Sequence, residues 1–145
     1  MAEKKEQRFW VVVASKDHIQ MGVDGGFVQS NHGKSTSLKR MKSGDGLVVY
    51  SPGQTYGKGN GLKSFTAIGK VKDEELYQVI MTEDFKPYRR NIQYYPSHDV
   101  AVQPLVENLD FIRNKKSWGY AFRFGFLEIP REDFELIEKE MTSNL

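Results

Sequence analysis

The six residues FWVVVA, Phe9 to Ala14, form an unbroken apolar run rich in valine. A strand with one wet face alternates apolar and polar side chains, so an unbroken run predicts a strand buried on both faces. The stretch GDGLVVYSP reads the same way, as a turn followed by a second buried strand that Pro52 stops. A sheet holding such strands needs cover on each side, and the rest of the chain must supply it.

The remaining elements are short. SKDHIQMG predicts a helical turn with Ser15 or Asp17 as its cap and Gly22 as its stop. STSLKRM predicts a short helix whose cap hydroxyls come from Ser35 to Ser37, with Leu38 and Met41 facing inward. PGQTYGKGNGLK holds four glycines and no periodicity, the pattern of a mobile surface loop. FTAIGKV alternates with Phe65, Ala67, Gly69 and Val71 on one face, and its internal glycine predicts a bulge or barrel corner. ELYQVIM and YRRNIQYY are further strands separated by the turn-like TEDFKP. PLVENLDFI opens a short helix on a proline.

GYAFRFGFLEI is the clearest alternation, with Tyr120, Phe122, Phe124 and Phe126 on one face, which predicts a strand packing that face into the core. In the closing PREDFELIEKEM, acids fill the first turn and Phe134, Ile137 and Met141 share a helical face. Six or seven strands and three or four short helices, without regular βαβ alternation or repeats, suit an α+β domain around a small, mostly antiparallel barrel.

A chain of 145 residues, 39% apolar and 28% charged, is expected to form one globular domain. The reading is a disordered tail over residues 1–7, one domain over 8–141 and a C-terminal tail over 142–145. The chain has no cysteine, which excludes disulfides, thiolate metal sites and thiol nucleophiles. MAEKKEQR has no apolar core before a cleavage site, and no run is long enough to span a bilayer. The expectation is a cytoplasmic protein without membrane contact.

Charge is uneven along the chain. From Lys34 to Lys72 eight bases face one acid, Asp45, while from Glu128 to Glu140 six acids face two bases. A basic middle and an acidic end suggest one face suited to a polyanion.

GGFVQSNHGKST, Gly25 to Thr36, ends as a P-loop ends, with glycine, Lys34 and Ser35. The P-loop places four residues between its glycines, so that successive amides point at the phosphates. Here Gly26 to Gly33 leaves six and Gly25 to Gly33 leaves seven, and no buried strand leads directly into the loop. The P-loop is therefore excluded. Lys34 beside Ser35, Thr36 and Ser37 at a helix start either holds one phosphate or simply caps the helix.

His18, His32 and His98 show no metal-ligand spacing, and Ser15 with His18 does not make a triad. No cofactor motif is present. Lys34 and Ser37 could form a lysine-activated hydroxyl. Arg89 and Arg90 follow Tyr88 in a strand, so one points outward, where phosphate contact is plausible, and the other toward a pocket or salt bridge.

Taken in order, FWVVVASKDH, GGFVQSNHGKSTSLKRMKSGDGLVVYSP, FTAIGKV, FKPYRRNIQYY and LVENLDFIRNKKSWGYAFRFGFLEI, with the closing helix, resemble the EVE domain family from Phe9 to Met141. The resemblance implies a PUA-like pseudo-barrel with short helices closing its ends. Relatives include YTH domains, which hold a methylated adenine in an aromatic cage, and ASCH domains, some of which are hydrolases. EVE domains are themselves similar to readers of modified bases. FVQSNHGK is similar to the YTH segment that carries the first cage tryptophan, and it puts Phe27 at that position.

A base pocket needs a flat apolar wall, polar groups for the base edge and cations for the backbone. Phe27 and Trp118 are the wall candidates, while Trp10 belongs to the core. Ser15, His18, Gln29, Tyr50 and Ser51 lie where strands meet loops and can supply edge contacts. Lys34, Arg89 and Arg90 are the phosphate candidates. The expected function is non-enzymatic binding of a modified base in DNA or RNA. The alternatives are a hydrolase of a small modified nucleoside and a protein-interaction domain.

Overall fold

In a computed structural model of the chain, which describes residues 6–29, 35–55 and 61–143, strand β1 (Phe9–Val13) is covered on both faces as its unbroken run requires. Phe9 and Val11 enter one core cluster, and Trp10 and Val12 enter another on the opposite face. The other strands are β2 (Phe27–Gln29), β3 (Gly46–Ser51), β4 (Ser64–Gln78), β5 (Tyr88–Tyr94), β6 (Val100–Ala101) and β7 (Phe126–Ile129). They form a seven-stranded sheet in the order β2-β5-β4-β3-β1-β7, with β6 paired to β4 off that path. Only the β1–β3 pair is parallel among these described pairings.

Helices α1 (Lys16–Gly25) and α2 (Thr36–Lys39) cover one face, through Ile19, Leu38 and Met41. The other face packs against α3 (Arg131–Thr142), through Phe134, Ile137 and Met141, and against two 3-10 turns, Gln103–Asn108 and Trp118–Phe122. The result is a mixed α+β domain on a mostly antiparallel sheet, as the sequence suggests. Among the described residues, no helix is long and apolar enough to cross a membrane.

Several local expectations are corrected. Helix α1 runs through Gly22 to Gly25 and ends at Gly26, whose φ of 74° is the left-handed conformation a helix stop uses. FTAIGKV and most of ELYQVIM belong to one 15-residue strand, β4. Its register slips at Thr66, because Val49 pairs with Ala67 but Tyr50 pairs with Phe65. That bulge sends Phe65 into the same cluster as Ile68 and leaves Ala67 and Val71 elsewhere, so the predicted shared face is broken. Gly69 is not itself the bulge. A Cβ there would lie 2.3 Å from the Gln93 carbonyl oxygen, so the glycine permits close approach of β5.

The largest departure is in GYAFRFGFLEI. Only Phe126–Ile129 is strand, Trp118–Phe122 is a 3-10 turn, and Gly125 at φ 76° turns the chain between them. Phe122 stacks on Tyr50 with centroids 4.0 Å apart, whereas Tyr120 and Phe124 are 62% and 79% exposed. Packing of Trp118 and Phe122 against Tyr50 decides the local fold against the period-two pattern.

Candidate functional site

The site is built where β1 gives way to α1 and where β2 meets β5. Ser15 leads into α1, and the Lys16 and Asp17 amides donate to the carbonyls of Gly53 and Gln54, tying the first turn to the end of β3. The Asp17 carboxylate accepts from Ser15 Oγ at 2.6 Å and from the His18 amide at 2.7 Å. At the other end, Gly26 turns the chain into β2, where the Tyr94 hydroxyl donates to the Phe27 carbonyl at 2.8 Å. Burial pushes the Tyr94 pKa far up, which keeps that hydroxyl a donor.

β2 and β5 run antiparallel, pairing Phe27 with Asn91, Val28 with Arg90 and Gln29 with Arg89. The pleat sends Arg89 and Arg90 to opposite faces. Arg89 then has Gln29 directly across and Phe27 on the diagonal, two positions from its partner Asn91. Its guanidinium sits 3.8 Å from the Phe27 ring centroid and its Nε donates to Gln29 Oε1 at 2.9 Å. Nη2 lies 3.9 Å from the Met81 sulfur. His18 feels the same cation. Burial lowers the imidazole pKa, Asp17 opposes that and Arg89 lowers it further, so the site favours the neutral form of His18.

The predicted site residues therefore divide. Phe27, Gln29 and Arg89 come into contact, and the Arg89 charge reaches His18, which lies in the first turn of α1 with Ser15 at the start of that helix. Phe27 is not an open wall, because it is 7% exposed and its ring lies against Arg89. Arg90 is not a phosphate ligand. It is 2% exposed, and it donates from Nη1 to the Leu38 and Met41 carbonyls and from Nη2 to that of Asp73, each at 2.7 Å. It pins α2 to β4 where the β4–β5 register shifts between Val71 and Leu76. Ser51 is fully buried and shares a 2.7 Å hydrogen bond with Thr66 across β3 and β4, so it offers no edge contact. Lys34 lies outside the described residues.

Tyr50 and Trp118 go elsewhere. Both line a separate cleft of about 490 Å³, and Trp118 Nε1 donates to Gln103 Oε1 at 2.7 Å. Trp10 is core, with no exposure, and its Nε1 donates to buried Asp45 at 2.9 Å. Sequence reasoning missed Met81 beside Arg89 and Lys63, Lys116 and Arg123 on the cleft. Of these, RNKKSW before Trp118 carried a visible basic signal. Among the described residues no group of three or more metal-ligating side chains occurs.

The EVE domain model matches residues 8–140. A UPF0310 protein of Mycolicibacterium gilvum is 45% identical over 136 residues, covering 94% of this chain and 96% of that protein. Among solved structures, the YTH domain of Zygosaccharomyces rouxii MRB1 protein, in complex with N6-methyladenosine RNA, superposes with a TM-score of 0.59 at 15% identity. That likeness covers 96% of this chain and 89% of the YTH chain. An ASCH protein of Zymomonas mobilis superposes with a TM-score of 0.55 at 9% identity, covering 94% and 98%. At such identities the likeness is one of fold, the PUA-like one.

Proposed function

Since the chain belongs to the EVE domain family, we propose that it is a non-enzymatic nucleic-acid-binding module that receives a modified base at the Arg89 corner. The observation that carries this reading is the placement of Arg89 against the Phe27 ring and the Gln29 amide. An arginine plane is itself a surface on which bases stack. Here the plane is backed by an aromatic ring and held by a glutamine, so little side-chain freedom remains to be lost on binding. Phe27 thus supports the stacking surface rather than forming it. Neutral His18 can donate or accept at the base edge.

The cation also sets the class of base. A base carrying a fixed positive charge would meet Arg89 at contact distance, at a cost on the order of a few kcal/mol near a protein surface. The site therefore suits a neutral modified base, such as one bearing a methyl or hydroxymethyl group. The fold of a YTH domain solved with N6-methyladenosine RNA supports the same reading.

Fluorescence anisotropy against a panel of modified and unmodified DNA and RNA strands, at one stated salt concentration, tests it. The expected result is tighter binding to at least one neutral modified base. Failure to bind any strand, or conversion of a modified nucleoside to product, overturns it.

A further inference from the structure

The cleft that holds Tyr50 and Trp118 opens where parallel strands β1 and β3 end, at Val13 and Pro52. At about 490 Å³ it falls within the size range of ligand sites. Lys63, Lys116 and Arg123 line it, and none of its described lining residues is acidic. Lys63 is the one non-glycine residue with left-handed φ, 42°, among the described residues. Its amide donates to the Pro52 carbonyl and its carbonyl accepts from the Val102 amide, both at 3.1 Å. A lysine held in an unfavourable backbone conformation at the edge of a cleft is a functional signal when other features agree.

The agreeing feature is beside Arg123. Its guanidinium lies 3.8 Å from the Tyr120 ring centroid and 4.4 Å from that of Phe124. Those rings are 62% and 79% exposed, although the chain has a large core in which to bury aromatics. Exposed rings interleaved with cations are what a single-stranded nucleic acid uses, through base stacking and phosphate contact. A protein partner would gain from the rings but would have to desolvate three cations without a shown counter-charge.

We propose that this cleft and the Tyr120–Arg123–Phe124 ridge form a second contact for single-stranded nucleic acid, indifferent to base modification. Tyr120 and Phe124 supply stacking faces, and Lys63, Lys116 and Arg123 meet phosphates. The inference rests on the nucleic-acid reading above but not on recognition of a modified base.

Titration of the labelled protein with an unmodified single strand, followed by NMR, tests the proposal. The chain has two tryptophans. The Trp118 indole N–H, on the cleft, should shift, while that of Trp10, buried and bonded to Asp45, should not. Phe124→Ala should weaken binding to modified and unmodified strands alike by roughly 5- to 150-fold, the loss of one base–aromatic stack. Lys116→Ala should reduce the slope of log affinity against log salt by about 0.7. Both side chains are exposed, so thermal melting should be unchanged. If the wild-type protein binds strands and Phe124→Ala binds equally well, the cleft assignment fails alone. If no strand binds, this inference and the proposed function fail together.

Discussion

Replacing Arg90 with methionine removes three hydrogen bonds of 2.7 Å, to the carbonyls of Leu38, Met41 and Asp73, and keeps the apolar stem. Each bond from a charged donor contributes about 1.5–3 kcal/mol. The gross loss is partly offset, because burying the guanidinium itself costs several kcal/mol. Among the described residues its Nε has no partner, which raises that cost. The Leu38 and Met41 carbonyls left behind are buried and that of Asp73 is part-buried, although the Leu38 carbonyl also accepts from the Met41 amide at 3.3 Å. The net expectation is a loss of about 3–5 kcal/mol, from carbonyls stranded at about 1–3 kcal/mol each less the relieved desolvation of the guanidinium. With a urea slope of about 2 kcal/mol per molar, the unfolding midpoint should fall by about 1.5–2.5 M. A loss below about 1 kcal/mol would refute the argument. Intact stability with loss of oligonucleotide binding would do more, and would return Arg90 to the phosphate contacts.

Two further results are expected. The folded pKa of His18 lies below 6.5, so the unfolded chain takes up the proton first as pH falls. The stabilisation is complete above about pH 6.5 and is lost as pH falls through the lower folded value. Urea unfolding at stepped pH should show that decline in the wild type and a shallower one in His18→Gln, and equal slopes would contradict it. Ser51→Ala should cost about 1 kcal/mol by removing the bond to Thr66, with oligonucleotide affinity unchanged once stability is allowed for. Lost affinity in a stable Ser51→Ala protein would make Ser51 a ligand contact after all.

Elements defined by strong periodicity were legible in the sequence. β1, β3 and α3 announce themselves through unbroken apolar runs or a clean helical face, and burial follows the apolar pattern, with Asp133 buried besides as an acceptor for the Asp110 and Phe111 amides. The reading failed where tertiary contacts override periodicity. Gly125 and the Tyr50–Phe122 stack turn an apparent strand into a 3-10 turn, and one bulge at Thr66 reverses the faces of β4. The site was half legible for the same reason. Alternation alone separates Arg89 from Arg90, but it cannot say which is buried. That choice depends on whether backbone carbonyls wait on the inner face, and those come from α2 and β4, distant in sequence. Nor could spacing show that Tyr50 packs with Trp118 and Phe122 while Phe27 packs with Arg89.

On the function proposed above, Arg89, stacked on Phe27 and held by Gln29, discriminates a modified base from its unmodified parent. The direct measurement is the ratio of Kd for an unmodified strand to Kd for the preferred modified strand, in the wild type and in Arg89→Gln. The expected outcome is a ratio well above one in the wild type that collapses toward one in the variant, with unmodified-strand affinity largely retained through the Phe124 ridge. An unchanged ratio in a folded Arg89→Gln protein contradicts the account.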